Sequence, residues 1–352
     1  MRGLSLLAAS IACLSLSGCY YGQLAEGQLT LMMRRQPIAE ARVDPNHPEE
    51  VRRLLSLVSQ VRDYAKVLGL EVDGQYTSYV DWPDDRIVTT LVRTRAGTLE
   101  SVPWWFPVVG SLPYKGYFDR EHAEAEAHSL EETGEYEVCV SGVSAYSTLG
   151  WLDDPVTRPM LLRGAASLVE TVFHELVHAT AFLPGDADFN EGVAQFIGQQ
   201  AAVDFFATLE AESTESEWPT ASRVRSAIED RRRIAEATLR FRTHLEEFEG
   251  QDDREERRSE AERAAREKLA ALPLSILDAE RIAQSARLSD ACLALRGTYL
   301  TDLPRHASVY AALDEDLPTM IERLRAIAES DADSASFFEI AEAPAADQSG
   351  ER

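Results

Sequence analysis

Two neighbouring stretches decide how this chain folds: AASLVETVFHELVHATAF at residues 165–182 and DFNEGVAQF at residues 188–196. The first is apolar on nearly every face, with only two glutamates and two histidines ionisable, and this pattern predicts a buried helix. Pro184 and Gly185 end that helix, and the second stretch opens another apolar one. The sequence therefore predicts two buried helices joined by a short turn.

The first helix carries the motif HELVH, with histidines at 174 and 178. Residues four apart lie on the same face of a helix, so His174 and His178 can bind one Zn²⁺ together. Glu175 can reach a water held by that metal and act as the general base. Burying these three side chains without partners would be costly, which favours a metal site over a surface helix with solvated histidines.

A zinc site with an open position needs a third protein ligand. The metzincin pattern requires glycine at 181 and histidine at 184, where this chain has Ala181 and Pro184, so that subclass is excluded. Glu191 follows His178 by 13 residues, and a short turn between the helices can bring it back over the histidine face. Glu191 is therefore the predicted third ligand.

The carboxylate of Glu191 has an alternative role. Asp188 and Glu191 also fit a capping box, with Asp188 as N-cap and Glu191 at the third helical position. Gly192 favours the ligand role, because a glycine here lowers helix propensity and permits close approach of the backbone. Asp186 and Asp188 are the alternative third ligands.

Together with WWFPVVGSLPYKGYFD (104–119) and STLGWLDDP (147–155), these stretches resemble bacterial aminopeptidase lipoproteins of the gluzincin type, with the pattern HExxH…NEGxAxF. The resemblance spans roughly residues 19–327. It implies a zincin-like catalytic core, one Zn²⁺ and peptide substrates. It also implies that this chain lacks a local disulfide, because family members carry cysteines where Trp105 and Ser111 stand.

Peptide hydrolysis also needs a group that stabilises the oxyanion. In gluzincins this donor usually follows the third ligand, so the resemblance favours Tyr299 as a second catalytic residue beside Glu175. The alternatives are Tyr310 and His306 on the C-terminal helices, and Tyr114, Tyr117 and Tyr146 upstream of the HELVH motif. Asn190 and Asp204 are candidates for orienting the histidine ligands.

Residues 1–19 predict a lipoprotein signal peptide. Arg2 is followed by a short apolar core and by LSGC, a lipobox-like end at Cys19. Cys19 is the predicted lipidation site, and it would attach the chain to a membrane without spanning it. Tyr20, in place of an aspartate, favours the outer membrane with the protein facing the periplasm. That location permits a disulfide between Cys139 and Cys292, although two buried thiols are equally compatible with the sequence.

The 352-residue chain has a formal net charge of −25, which argues against nucleic acid as a partner. The pattern of apolar residues predicts an α+β fold that is predominantly helical, with a small antiparallel or mixed sheet. Residues 20–352 are predicted to form one zincin-like domain. Its regions are an N-terminal helix and sheet (38–150), the zinc-site helices (156–211), a charged helical hairpin (217–271), C-terminal helices (276–328) and a largely disordered acidic tail (330–352).

The motif and the resemblance predict a membrane-anchored zinc peptidase. Aminopeptidase activity follows from the resemblance alone, and an endopeptidase of envelope proteins is the nearest alternative. A noncatalytic lipoprotein braced by zinc is a third possibility, but structural zinc sites usually have four protein ligands and do not need Glu175. Residues 143–148 are a candidate edge strand for an extended peptide, with an ordinary core hairpin as the alternative.

Overall fold

The computed structural model describes residues 20–107, 110–144, 153–212, 217–251, 253–294, 303–330 and 332–342. Helices predominate among them and are accompanied by small sheets, which confirms the predicted α+β class. The helices are α1 (20–33), α2 (Ile38–Ala41), α3 (Glu49–Val67), α4 (Arg120–Glu132), α5 (Arg158–Leu161), α6 (Ala165–Thr180), α7 (Ala187–Glu212), α8 (Ala221–Glu246), α9 (Arg254–Ala270), α10 (Ala279–Ser285), α11 (Asp290–Leu293), α12 (Leu303–Ala312), α13 (Leu317–Ala328) and α14 (Ala335–Glu342).

The strands are short and belong to three sheets within the described residues. They are β1 (Gln36–Pro37), β2 (Ser78–Val80), β3 (Val88–Arg95), β4 (Trp104–Phe106), β5 (Gly110–Leu112), β6 (Tyr114–Tyr117), β7 (Tyr136–Val143) and β8 (Val156–Thr157). β1, β2 and β8 form a mixed sheet, β6, β3 and β7 an antiparallel one, and β4 and β5 a hairpin. In that hairpin Trp105 lies directly opposite Ser111, the two positions at which the resemblance implies cysteines.

Helices α6 and α7 lie in the main hydrophobic core, which they share with α3, α12, α13 and α14. The apolar side chains of α6 are enclosed: Val169, Val172 and Phe173 are fully buried, and so are Leu176 and Val177 one turn later. This burial is what an all-round apolar helix requires. The helix that carries the two histidines is therefore held by packing on several sides.

The antiparallel sheet is covered on both faces. Leu91 of β3 packs against Ala123 and Ala127 of α4, whose N-terminus is capped by Asp119. Val92, the next residue, points to the other face and packs against α11. Cys139 of β7 and Cys292 of α11 form a disulfide there, which settles the pairing that the sequence left open.

Helices α8 and α9 lie in the segment predicted as a charged hairpin, and Gly250 falls in the turn between them. Their apolar sides form a second core with residues from α10 and α11. The predicted tail is shorter than expected, because residues 335–342 form α14 and bury Phe337 and Phe338 in the main core. Among the described residues, no helix is long and apolar enough to cross a membrane.

Candidate metal centre

His174 and His178 lie one turn apart on α6 and point to the same place. Their Nε2 atoms are 3.1 Å apart, and their rings meet edge to face with centroids 4.7 Å apart. His178 is buried and His174 is partly buried. The four-residue spacing thus brings two imidazole nitrogens together, as the motif predicts.

Glu191 reaches the two histidines from the first turns of α7. Its Oε2 lies 3.4 Å from Nε2 of His174, and its Oε1 lies 3.6 Å from Nε2 of His178. Ligands bound at 2.0–2.1 Å to a tetrahedral zinc ion are separated by about 3.3–3.4 Å, so the three contacts have the spacing of a zinc ligand set. Two imidazoles and one carboxylate are also the donor types that zinc takes in catalytic sites.

The cap of α7 falls two residues earlier than the capping box predicts. The carboxylate of Asp186 accepts a hydrogen bond of 3.2 Å from the backbone N–H of Phe189, whereas Asp188 is exposed in the first turn. The capping alternative for Asp188 is therefore wrong. Neither aspartate joins His174, His178 and Glu191, which together are the metal-binding group found among the described residues.

The charges of the three side chains are mutually stabilising. Burial lowers the pKa of His174, but the hydrogen bond with Glu191 and the charges of Glu175, Glu191 and Glu170 outweigh it, so the pKa is raised. Burial raises the pKa of Glu191, but its hydrogen bonds with His174 and His178 and their charges lower it to about 2. Glu191 is therefore an ionised carboxylate at neutral pH, the form that binds a cation.

Glu175 has an uncommon environment for a carboxylate. Its Oε2 is buried and has no hydrogen-bond partner among the described residues. An orphaned buried carboxylate oxygen costs free energy unless a ligand satisfies it. A water held beside His174 would do so, so this observation also fits an ion in the site.

A glycine supports the site, but not the one that the sequence suggested. A Cβ on Gly198 of α7 would lie 3.0 Å from the backbone N and 3.2 Å from the Cα of His174, so α6 and α7 can approach this closely only because the residue is glycine. Gly192 instead faces the ring of His306, 3.1 Å from its Cε1. The argument made for Gly192 therefore applies to Gly198.

A polar network lies one turn before His174 on α6. Glu170 accepts hydrogen bonds from Gln195 (2.8 Å) and Gln199 (3.3 Å) of α7 and pairs with Arg231 of α8. Arg232 in turn donates to Gln199. Arginines of the charged hairpin thus face α6 and α7, and a charge pattern alone could not distinguish this from a solvated salt bridge.

Asn190 and Asp204, the candidates for orienting the histidines, interact with other parts of the chain. Asn190 accepts a hydrogen bond from the N–H of Leu183 and donates one to its carbonyl, which fixes the turn between α6 and α7. Asp204 lies near Tyr310, where its charge contributes, after burial, to raising the pKa of that tyrosine to about 12. Among the described residues, neither side chain hydrogen-bonds to His174 or His178.

Two tyrosines have pKa values that are raised in part by the carboxylates of this site. Desolvation and then the charge of Glu191 raise the pKa of Tyr114, at the start of β6. Burial and then the charges of Glu175 and Asp154 raise the pKa of Tyr76 far above its usual value. Tyr76 is almost fully buried with φ of 55°, a strained conformation for this residue, and no sequence signal points to it.

The other candidates for the oxyanion donor are elsewhere or undescribed. Tyr299 and Tyr146 lie outside the described residues, as do Cys19 and most of the candidate edge strand. Tyr117 donates to Glu126, and Tyr310 packs on Phe196. His306 is buried among aromatic rings, namely Phe189, Phe196, Phe337 and Phe338.

The fold and this group of side chains define a helical α+β protein with a two-histidine, one-carboxylate metal-binding group. Residues 19–336 match the family described as "Putative aminopeptidase", and the chain belongs to that family. The family description indicates a peptidase. No curated protein and no solved structure matches the chain.

Proposed function

We propose that the protein is a zinc-dependent peptidase with a zincin-like catalytic core, attached to the cell envelope by a lipid on Cys19. The convergence of His174, His178 and Glu191 beside Glu175 carries this proposal. The residues form a group of three ligands, and the adjacent Glu175 has a carboxylate oxygen with no partner in the described part of the chain, which suits a catalytic site better than a closed structural one.

In this proposal His174, His178 and Glu191 hold one Zn²⁺. A zinc ion held there supplies Lewis-acid chemistry to water and to the scissile carbonyl. Glu175 takes the proton of the attacking water and delivers it to the leaving amine. Glu170 and its partners fix α6 against α7, which keeps the two imidazoles in register.

The oxyanion donor is proposed to be a tyrosine. The family resemblance favours Tyr299. The site favours Tyr114, because the charge of Glu191 contributes, after burial, to raising the pKa of its hydroxyl. Replacing each tyrosine by phenylalanine separates the two. Loss of the donor is expected to lower kcat by about 10²–10³-fold while zinc content stays unchanged.

Aminopeptidase activity rests on the family description, whereas peptide hydrolysis is also supported by the site. An endopeptidase acting on envelope proteins is the alternative. Lipid attachment rests on the lipobox-like sequence, and the choice of the outer membrane rests on Tyr20 in place of an aspartate. The Cys139–Cys292 disulfide supports an oxidising compartment, where such bonds persist.

The test compares the wild type, Glu175→Gln and Glu191→Ala for zinc content and for cleavage of peptides with free or blocked N-termini. Glu175→Gln should keep its zinc and lose at least about 10²-fold in kcat, because only the base is removed. Glu191→Ala should lose the zinc itself. Glu121→Gln, an exposed glutamate on α4, serves as the control and should behave as wild type.

Cleavage of blocked peptides by the wild type would favour the endopeptidase. A wild type that binds stoichiometric zinc but cleaves neither kind of peptide would support the noncatalytic alternative. Full activity of Glu175→Gln would contradict the proposed base.

A further inference from the structure

Helix α1 (20–33) is firmly attached to the body of the protein along one face. The ring of Tyr20 packs edge to face on Tyr117, with centroids 5.4 Å apart. Gln23 accepts a 2.9 Å hydrogen bond from the N–H of Phe118, and Leu31 is 1% exposed. Gly27 lies so close to Phe118 that a Cβ would overlap its ring. The segment following Cys19 is thus a docked helix and not a free tether.

The opposite face of α1 is apolar and open. Leu29, Met32 and Met33 are 56, 52 and 77% exposed, at helical spacing i, i+3 and i+4, and Tyr21 is 43% exposed. Four of the eleven exposed large apolar side chains among the described residues therefore lie on this one helix. We call these four residues the α1 stripe. A concentration of this kind marks a surface with an apolar partner.

The charges around the stripe differ from those of the rest of the chain. The chain has 60 acidic and 35 basic residues, yet residues 20–35 include only Glu26 as an acid and end in Arg34 and Arg35. A helix with an apolar face and basic residues at its end suits an anionic phospholipid surface, whereas the remaining acidic surface would be repelled by it.

The position of the helix in the chain identifies the partner. Cys19, the proposed lipidation site, is the residue directly before Tyr20. Acyl chains on Cys19 would hold α1 within one residue of the bilayer. We infer that the α1 stripe lies in the headgroup region of the membrane and fixes the orientation of the protein on it. This inference rests on the lipid anchor of the proposed function.

The membrane-facing helix is also joined to the antiparallel sheet, because α1 docks on strand β6. The ring of Tyr20 contacts Tyr117 and lies 4.4 Å from Nζ of Lys115, and both partners belong to β6. β6 begins at Tyr114, whose pKa is raised by burial and then by the charge of Glu191. The orientation of α1 on the membrane is therefore shared by the sheet on which the helix docks.

The test uses the full chain, acylated in a bacterial host and reconstituted into vesicles of phosphatidylethanolamine and phosphatidylglycerol. A polarity-sensitive fluorophore is placed at Met33→Cys or, as the control, at Val67→Cys. The two side chains are equally exposed, at 77%, but Val67 ends α3. The label is specific, because Cys139 and Cys292 are paired and Cys19 is acylated.

The label at position 33 should show a blue-shifted emission and be quenched by brominated lipid at least several-fold more than the label at position 67. Equal quenching at the two positions in acylated protein would overturn the inference and leave the anchor intact. A protein whose mass shows no acyl group would refute the anchor and the inference together, while peptide cleavage still tests the peptidase proposal by itself.

A second copy of the chain is the other conceivable partner for the stripe. Sedimentation of residues 20–352 without lipid, as wild type and as Leu29→Glu/Met32→Glu, distinguishes it. Monomers in both samples support the membrane assignment. A dimer that the double substitution dissociates would assign the stripe to self-association and overturn the inference.

Discussion

Glu191 binds its histidines because a different residue caps the helix that carries it. The sequence offers two roles for this carboxylate, and they require different orientations of its side chain. Asp186 takes the capping role through the N–H of Phe189, so Glu191 is left to face His174 and His178. The position of a single N-cap thus leaves the carboxylate of Glu191 free to face the two histidines.

Gly198 is the residue on which the approach of the two helices depends. In Gly198→Ala, the new Cβ would lie 3.0–3.2 Å from backbone atoms of His174 and Glu170, and backbone yields less readily than a flexible side chain. We expect the free energy of unfolding to fall by about 1–3 kcal/mol, as overpacking does, and zinc affinity to fall with it. Urea unfolding and zinc titration measure the two effects.

Gly22→Ala is the control for that substitution, because nothing lies within 4 Å of its Cβ position and alanine is the better helix former. It should unfold at the same or a slightly higher urea concentration than wild type. If Gly198→Ala were as stable as this control and bound zinc equally well, close helix approach would not be what maintains the site.

At the scale of elements, the sequence predicts best where a local pattern determines the structure. The apolar run at residues 165–182 gives α6, and the i, i+4 spacing brings the imidazoles of His174 and His178 together. The sequence does not indicate Tyr76 or Gly198, because their positions in the site depend on neighbours that folding brings together. A positive φ or a 3 Å contact between helices has no local sequence signal.

The hairpin α8–α9 shows the same limit for charges. Its arginines and acids alternate as in solvated helices, yet Arg231 and Arg232 turn inward to Glu170 and Gln199. Asp230, which belongs to the same charged run, has a fully buried side chain. Charge spacing identifies the helix but not the few residues on it that reach the core.

Asp230 joins α8 to the loop before α10. Its carboxylate accepts hydrogen bonds of 2.7–3.0 Å from the N–H groups of Ser275, Ile276 and Leu277. Burial raises the pKa of Asp230. The hydrogen bonds and the charge of Arg233 lower this pKa by a larger amount, so the net shift is downward. Such a carboxylate stabilises the fold above its unfolded pKa of about 3.9 and loses that contribution as the pH falls through the folded value.

Asp230→Asn should therefore lower the free energy of unfolding at pH 7 by about 1–3 kcal/mol, because a neutral amide replaces the charged acceptor. The difference from wild type should begin to narrow below about pH 4, where the unfolded chain takes up the proton, and should vanish only after the pH has fallen below the lowered pKa of the folded protein. Urea unfolding at pH 7 and pH 3.5 measures this. Asp253→Asn, at an exposed position, is the control, and equal effects of the two substitutions would refute the role of Asp230.

At the scale of the whole molecule, the parts that flank the metal centre are joined by interactions distant in sequence. The disulfide links β7 to α11 across 153 residues, and the segment between its cysteines contains α6 and α7. Helix α11 is also held by buried Asp290, which pairs with Arg254 and Arg258 of α9. The sheet that receives α1 is thus tied through α11 to helix α9.

Removing the disulfide should loosen this arrangement without emptying the metal site. We expect Cys139→Ala/Cys292→Ala to lower the free energy of unfolding by about 2–5 kcal/mol, because a long loop in the unfolded chain is no longer closed. Zinc content under native conditions should be unchanged, since His174, His178 and Glu191 are positioned by the packing of α6 on α7. Urea unfolding with and without dithiothreitol, and metal analysis, measure the two quantities.

The two measurements also separate stability from location. Dithiothreitol should reduce the stability of the wild type to that of the double variant and leave the variant unaffected. A wild type in which both thiols titrate as free after isolation from the envelope would contradict the disulfide, and with it the support for an oxidising compartment. A double variant that folds but loses its zinc would show instead that the link between β7 and α11 positions the ligands, so that the metal centre depends on the whole molecule and not on two helices alone.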